Sequence, residues 1–83
     1  MKATIVGVNL NKGRAVAFSE LGEYILLELF SDEPEMNDEI TGYFDEHPLG
    51  SEAITNVTQG SKMEFFIQDY CSKEIAQQYL AGN

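Results

Sequence analysis

Glu23-Tyr24-Ile25-Leu26-Leu27-Glu28-Leu29-Phe30 decides the fold of this chain. Successive side chains of a strand point to opposite faces. Ile25, Leu27 and Leu29 therefore make one apolar face. Tyr24, Leu26 and Phe30 make a second one around Glu28. A strand that is apolar on both faces is covered on both, or curls through a barrel.

The neighbouring segments extend this pattern. Before it, Ala3 to Leu10 is rich in β-branched residues, with Val6, Val8 and Leu10 on one face and Ile5 and Gly7 on the other. Asn11-Lys12-Gly13 is a turn in which Gly13 takes positive φ without steric cost. Arg14 to Ser19 returns with Val16 and Phe18 opposite Ala15 and Ala17, and Glu20-Leu21-Gly22 closes a second tight connection. Beyond the central strand, Ser31 to Asp38 reads as a solvated loop, because Pro34 cannot donate to a ladder and carboxylates crowd it. Glu39 to Asp45 alternates again, with a bulge or bend expected at Gly42. Glu46 to Glu52 is a second loop around Pro48 and Gly50. Ala53 to Val57 is a short strand, Thr58 to Ser61 a turn, and Lys62 to Asp69 the last strand, with Met63, Phe65 and Ile67 inward.

The tail changes period. Ser72 is placed as an N-cap, and Glu74 suits the positive end of a helix dipole. Ile75, Tyr79 and Leu80 form a stripe at helical spacing, with Gly82 as the stop. The helix expected over 72–80 is too short to stand alone. It must dock, and an open edge or a barrel mouth is the place that most needs cover. Strands this short and regularly spaced, in a chain too small for two full sheets, predict a mainly β domain spanning 1–83: a small five- to six-stranded barrel with a short C-terminal helix.

Charge sets the functional expectation. Between Ala15 and Ser61 there is no lysine or arginine. That span holds Glu20, Glu23, Glu28, Asp32, Glu33, Glu35, Asp38, Glu39, Asp45, Glu46 and Glu52, eleven of the fourteen carboxylates. The net charge of −9 slows encounter with nucleic acid and anionic lipid and favours basic partners. Cys71 is the single cysteine, so no intramolecular disulfide forms, and it reads as a buried or half-buried filler. Met1 to Gly7 lacks the apolar core of a signal peptide, and no apolar run approaches the roughly 18–20 residues of a membrane span. The expected location is the cytoplasm.

Two resemblances attach to particular residues. Lys12-Gly13-Arg14-Ala15-Val16-Ala17-Phe18 resembles the Lys-Gly-aromatic-Gly-aromatic-Ile segment of cold-shock domains and related oligonucleotide-binding barrels. That resemblance implies a barrel of oligonucleotide-binding-like strand order, with an SH3-like order the other possibility, and single-strand binding by base stacking. The chain departs from the motif where the stacking aromatics belong: Arg14 and Val16 occupy those positions, and Ala15 replaces the second glycine. Asn56-Val57-Thr58-Gln59-Gly60 followed by Ile67-Gln68-Asp69-Tyr70 resembles short uncharacterised bacterial proteins of about this length, which implies no activity.

Catalytic and metal chemistry find no support. His47 and Cys71 give at most two of the three or four N/S ligands zinc needs. The loop Ser31 to Glu39 has neither the glycine nor the alternate-residue spacing of a helix-flanked calcium loop. No nucleophile elbow is present, and Gly60-Ser61-Lys62 lacks the remainder of a phosphate loop. His47 reads as a solvent-facing loop residue. The candidate binding residues are Lys12, Arg14, Phe18, Tyr24, Tyr43, Lys62 and Phe66, the aromatics because they oppose the clearest inward sets. Lys2, Lys12, Arg14 and Lys62 would form a basic pole if the fold gathered them at one end. The leading expectation is a non-enzymatic, cofactor-free acidic module that binds a basic protein partner or self-associates through an edge strand. The alternative is a single-stranded nucleic-acid-binding domain that uses the small basic patch.

Overall fold

A computed structural model of the protein describes residues 1–82. The chain runs β1 (Lys2–Asn9), β2 (Arg14–Ser19), β3 (Tyr24–Leu29), β4 (Glu39–Thr41), a 3-10 turn (Phe44–Glu46), β5 (Gly50–Asn56), β6 (Ser61–Cys71) and α1 (Lys73–Ala81). The strands close a barrel in the order β1-β2-β3-β6-β5-β4. Every neighbouring pair is antiparallel. Two three-stranded meanders, β1-β2-β3 and β4-β5-β6, thus meet along the β3–β6 and β1–β4 seams. The expected mainly β barrel with a C-terminal helix is what forms.

The interior follows the alternation of the central strand. Ile25 and Leu27 of β3 point inward and are fully buried with Ile5, Ile40, Ile54, Phe65 and Ile67. Across β2–β3 the large residues stand opposite small ones, Leu27 beside Ala15 and Ile25 beside Ala17. That pairing of sizes suits a narrow barrel, whose interior must be filled by side chains.

β1 departs from plain alternation. Ile5 pairs with Ala17 and Gly7 with Val16, so Val6 is an extra residue on a bulge. The bulge reverses the faces beyond it. Ile5 is inside, Gly7 turns to the outer wall, and Val8 packs back against the core. Gly7 was expected to share a face with Ile5. Its lack of a side chain matters outside instead, where a Cβ would collide with Leu80.

α1 lies on the outer wall of β1-β2-β3, not across an edge or a mouth, because closure leaves no long edge to cover. The face it buries joins Ala76, Tyr79 and Leu80 to Val16, Leu26, Tyr24 and Cys71. Ile75, expected in that stripe, is 52% exposed, and Ala76 takes its place. Ser72 stands at the N-cap without a side-chain bond, whereas Gly82 ends the helix in the left-handed region. The helix C-terminus is held by the first hairpin. Asn9 Nδ2 donates to Leu80 O at 2.7 Å, and the Arg14 guanidinium donates to Tyr79 O at 2.8 Å. Arg14 also lies over the Tyr79 ring at 4.6 Å, and Tyr79 Oη donates to Leu27 O at 3.0 Å. Cations suit this end of a helix. Arg14→Ala should cost about 1–2 kcal/mol, for one charge-assisted bond and one cation–π contact. It should be read as faster amide exchange in α1 than in the barrel strands.

Candidate functional site

The barrel wall is open beside the first half of β5. β4 is three residues long and pairs with β5 only through Ile40–Asn56 and Thr41–Thr55. It was expected to continue to Asp45. Instead Gly42 stays bonded to the residue before β1, where its N–H donates to Met1 O and its C=O accepts from the Met1 ammonium, each at 3.0 Å, but it parts from β5, and Tyr43 leads into the 3-10 turn. Gly42 makes a close approach rather than a bulge: a Cβ there would lie 3.2 Å from Phe44 Cζ. β5 in turn begins at Gly50, earlier than Ala53, and pairs with β6 along its whole length. Its first residues therefore have a neighbour on one side alone.

A groove of about 330 Å³ occupies the position β4 would have filled. Thr41 to Phe44 and Pro48 form one bank, and Glu52 to Thr55 with Lys62 form the other. Tyr43 is 75% exposed beside it, and Leu49 is 64% exposed on the same connection. Phe44 is buried and closes the barrel end beneath.

The bank from 42 to 49 is fixed by its own contacts. His47 has φ of 51° and is the left-handed C-cap of the 3-10 turn. Its Nε2 lies 2.7 Å from Glu23 Oε1, and its ring meets Tyr70 edge-on at 4.7 Å. A carboxylate only accepts, so Nε2 carries the proton. Tyr70 Oη donates to Pro48 O at 2.8 Å. Burial, then Glu52 and Glu23, push the Tyr70 hydroxyl up to about 12, so it stays a donor at neutral pH. The expected solvent-facing histidine is thus half exposed but engaged.

The acidic loop is likewise not simply solvated. Asp38 is buried, and its Oδ2 accepts from Glu35 N at 2.9 Å, Asn56 Nδ2 at 2.8 Å and Gln59 Nε2 at 2.8 Å. Burial alone would raise its pKa, but the bonds from Glu35, Asn56 and Gln59 outweigh it and hold the carboxyl below the ordinary value. The Asn-x-Thr-x-Gly run has its explanation here. Asn56 is the buried partner, Thr58 Oγ1 accepts from Glu39 N, and Gly60 turns at positive φ. No residue of this network was singled out from sequence as an anchor; Asp38 stands 18 residues from Asn56, so their pairing gave no local signal.

The sequence-predicted binding residues separate into distinct places. Arg14 and Lys12 serve the helix C-terminus, with the Lys12 stem against Gly82. Phe18 and Tyr24 pair on the outer wall with ring centroids 4.7 Å apart, Tyr24 half covered by α1. Tyr43 and Lys62 flank the groove. Phe66 is half buried on the outer face of β6, cross-strand from Glu28 on one side and Ser51 on the other. The basic pole does not form. Lys2 lies 3.5 Å from Glu39, and Lys62 sits on β6 with all of β3 between it and Arg14.

Two further observations bear on chemistry. Among the described residues no group of three or more His, Cys, Asp or Glu side chains is arranged to hold a metal ion. Burial and then Asp69 push the Cys71 thiol up, away from the thiolate that a nucleophile requires. Among the described residues no helix is long and apolar enough to cross a membrane. No protein-family model, curated protein or solved structure matches the chain.

Proposed function

We propose that this protein is a non-enzymatic interaction module, an acidic barrel that binds a basic protein partner at the groove beside β5. The observation that carries the reading is the charge around the gap in the wall. Glu52 lines the groove and Glu64 stands cross-strand from Ala53. Asp45 and Glu46 lie on the 3-10 turn next to Tyr43. Lys62 is the one lysine or arginine of the lining, and the Met1 ammonium is held by Gly42 O at 3.0 Å. An exposed tyrosine amid carboxylates offers an aromatic face and opposite charge to lysine or arginine, and recognition of that kind sets orientation and speeds encounter.

The alternative, an oligonucleotide-binding-like domain for single strands, draws on the Phe18–Tyr24 pair, since bases stack on exposed aromatics. It also needs a positive groove. Here Arg14 is bonded to the helix, and Val16, which stands at a stacking position of the resembled motif, lies under α1. The charge of −9 opposes phosphate throughout.

Fluorescence anisotropy separates the two readings. A labelled Arg-Val-Arg-Val-Arg peptide and a labelled oligothymidylate should be titrated at ~20 mM salt, where the Debye length is about 20 Å, and again at ten times that concentration. The expected result is peptide binding that weakens at least tenfold with salt and no oligonucleotide binding. Tighter binding of the oligonucleotide, or no peptide binding at low salt, would overturn the proposal.

A further inference from the structure

We propose that the partner docks by strand addition, as an extended segment that takes up the line of β4, runs antiparallel to β5, and carries basic residues at alternate positions. This rests on the reading of the protein as a binder of basic partners and specifies how it binds.

The backbone fixes the geometry. Across β4–β5, Val57 N donates to Glu39 O at 2.8 Å, and on the opposite side Asn56 O accepts from Gly60 N at 2.9 Å. Peptide groups in an antiparallel ladder alternate in direction. Odd-numbered residues of β5 therefore face β4, and even-numbered ones face β6. β4 ends at Thr41, opposite Thr55. Ala53 continues the same alternation in the groove lining and Ser51 just beyond it, and their N–H and C=O groups meet no backbone partner among the described residues. The barrel thus keeps a short edge here, and unpaired edge groups are a template for another strand.

The side chains specify the occupant. A segment paired to this edge places the residues opposite Ser51 and Ala53 on the outer face of the barrel. Both β5 residues are small. The next strand carries Phe66 across from Ser51 and Glu64 across from Ala53. Strands lie about 4.8 Å apart, so a long side chain crosses Ser51 or Ala53 and reaches its neighbour. Arginine suits both positions, with its guanidinium on the Phe66 ring in one case and paired with the Glu64 carboxylate in the other. The intervening residue lies opposite Glu52 and faces the Tyr43–Phe44 bank, where a β-branched residue fits. The recognised pattern is basic–apolar–basic in extended conformation. A second copy of this chain is a poor occupant, because two barrels of charge −9 would bring like charges together.

The test uses the Arg-Val-Arg-Val-Arg peptide and the same peptide N-methylated at its central arginine, which keeps the charge but removes a backbone donor. The N-methylated form should bind at least tenfold more weakly. Ala53→Pro should weaken the unmodified peptide by a similar factor. Its lost N–H is one that faces the groove, so the β5–β6 ladder is kept. Glu64→Gln should weaken binding threefold or more at low salt. Equal affinity for both peptides would overturn strand addition even if Ala53→Pro fails to fold, while leaving an acidic binder of basic partners in place. No binding of either peptide to the unaltered protein would overturn both.

Discussion

Asp38→Ala should be among the most destabilising single substitutions in the protein, by about 3–5 kcal/mol, because it removes bonds to a charged group worth about 1.5–3 kcal/mol and orphans donors that cost about 1–3 kcal/mol where they are buried. One carboxylate oxygen satisfies three donors, from Glu35, Asn56 and Gln59. Asn56 is fully buried, so its amide has no water to turn to. Charge-assisted bonds contribute more than neutral ones, and an orphaned buried donor carries its whole desolvation penalty. Small domains hold only about 5–15 kcal/mol in total. Near 1 kcal/mol per ~4–8 °C for a chain of this size, the melting temperature should fall by more than ~12 °C. Urea unfolding measures the loss directly. A change below ~1 kcal/mol would show that the loop rearranges to satisfy those donors. Asp38→Asn, which retains an acceptor but not the charge, should lose less.

The same carboxylate has a pH signature. Its folded pKa lies below the ordinary aspartate value. A depressed carboxyl contributes stability that is fully present above the unfolded pKa and is lost as pH falls through the folded one. The Asp38 contribution therefore operates at neutral pH and disappears only on the acid side of its ordinary range. Asp38→Asn should flatten that acid limb of the stability curve while lowering the plateau.

The barrel was legible in sequence because its information is local. The two-faced strand at Ile25–Leu29, the turn at Gly13 and the inward set Met63, Phe65 and Ile67 all follow from period-two alternation, and they stand where expected. What was not legible depended on register or on distant partners. A single extra residue at Val6 inverts the faces of β1 beyond it, and nothing in Ile5-Val6-Gly7 announces a bulge. β4 reads as a strand to Asp45 because Tyr43 and Phe44 continue the alternation. Phe44 is instead drawn into the barrel end, which turns the chain out of the sheet and shortens β4. The groove exists because of that departure, so it could not be read from a pattern that predicted an unbroken strand. Tyr43 and Lys62 were picked out for opposing the inward sets and for charge, and these local traits put them on its banks. Arg14 and Lys12 were picked out on the same grounds, but the helix that engages them lies some 65 residues along the chain from Arg14.

Phe44→Ala should therefore lower stability and impair the groove together. The side chain is 1% exposed and belongs to the main core, so its removal should cost about 3–5 kcal/mol, as large-to-small core changes of aromatic residues do. The two losses can be separated. Below the melting transition of the variant, the barrel strands remain paired, but the bank from 42 to 49 is left with Gly42 on Met1, His47 on Glu23 and Tyr70 on Pro48 as its anchors. The last two sit on the far side of the 3-10 turn from Tyr43, and the first holds backbone alone. Without the ring beneath it, Gly42 loses the surface it packs on, and Tyr43 loses its fixed place beside the edge of β5. Peptide binding measured on the folded variant should fall at least tenfold, and Phe44→Leu should restore most of both properties. If Phe44→Ala is destabilised by the expected amount yet binds the basic peptide with unchanged affinity, the groove bank is held by Met1, Tyr70 and His47 without the ring, and the burial of Phe44 serves the core without serving the site.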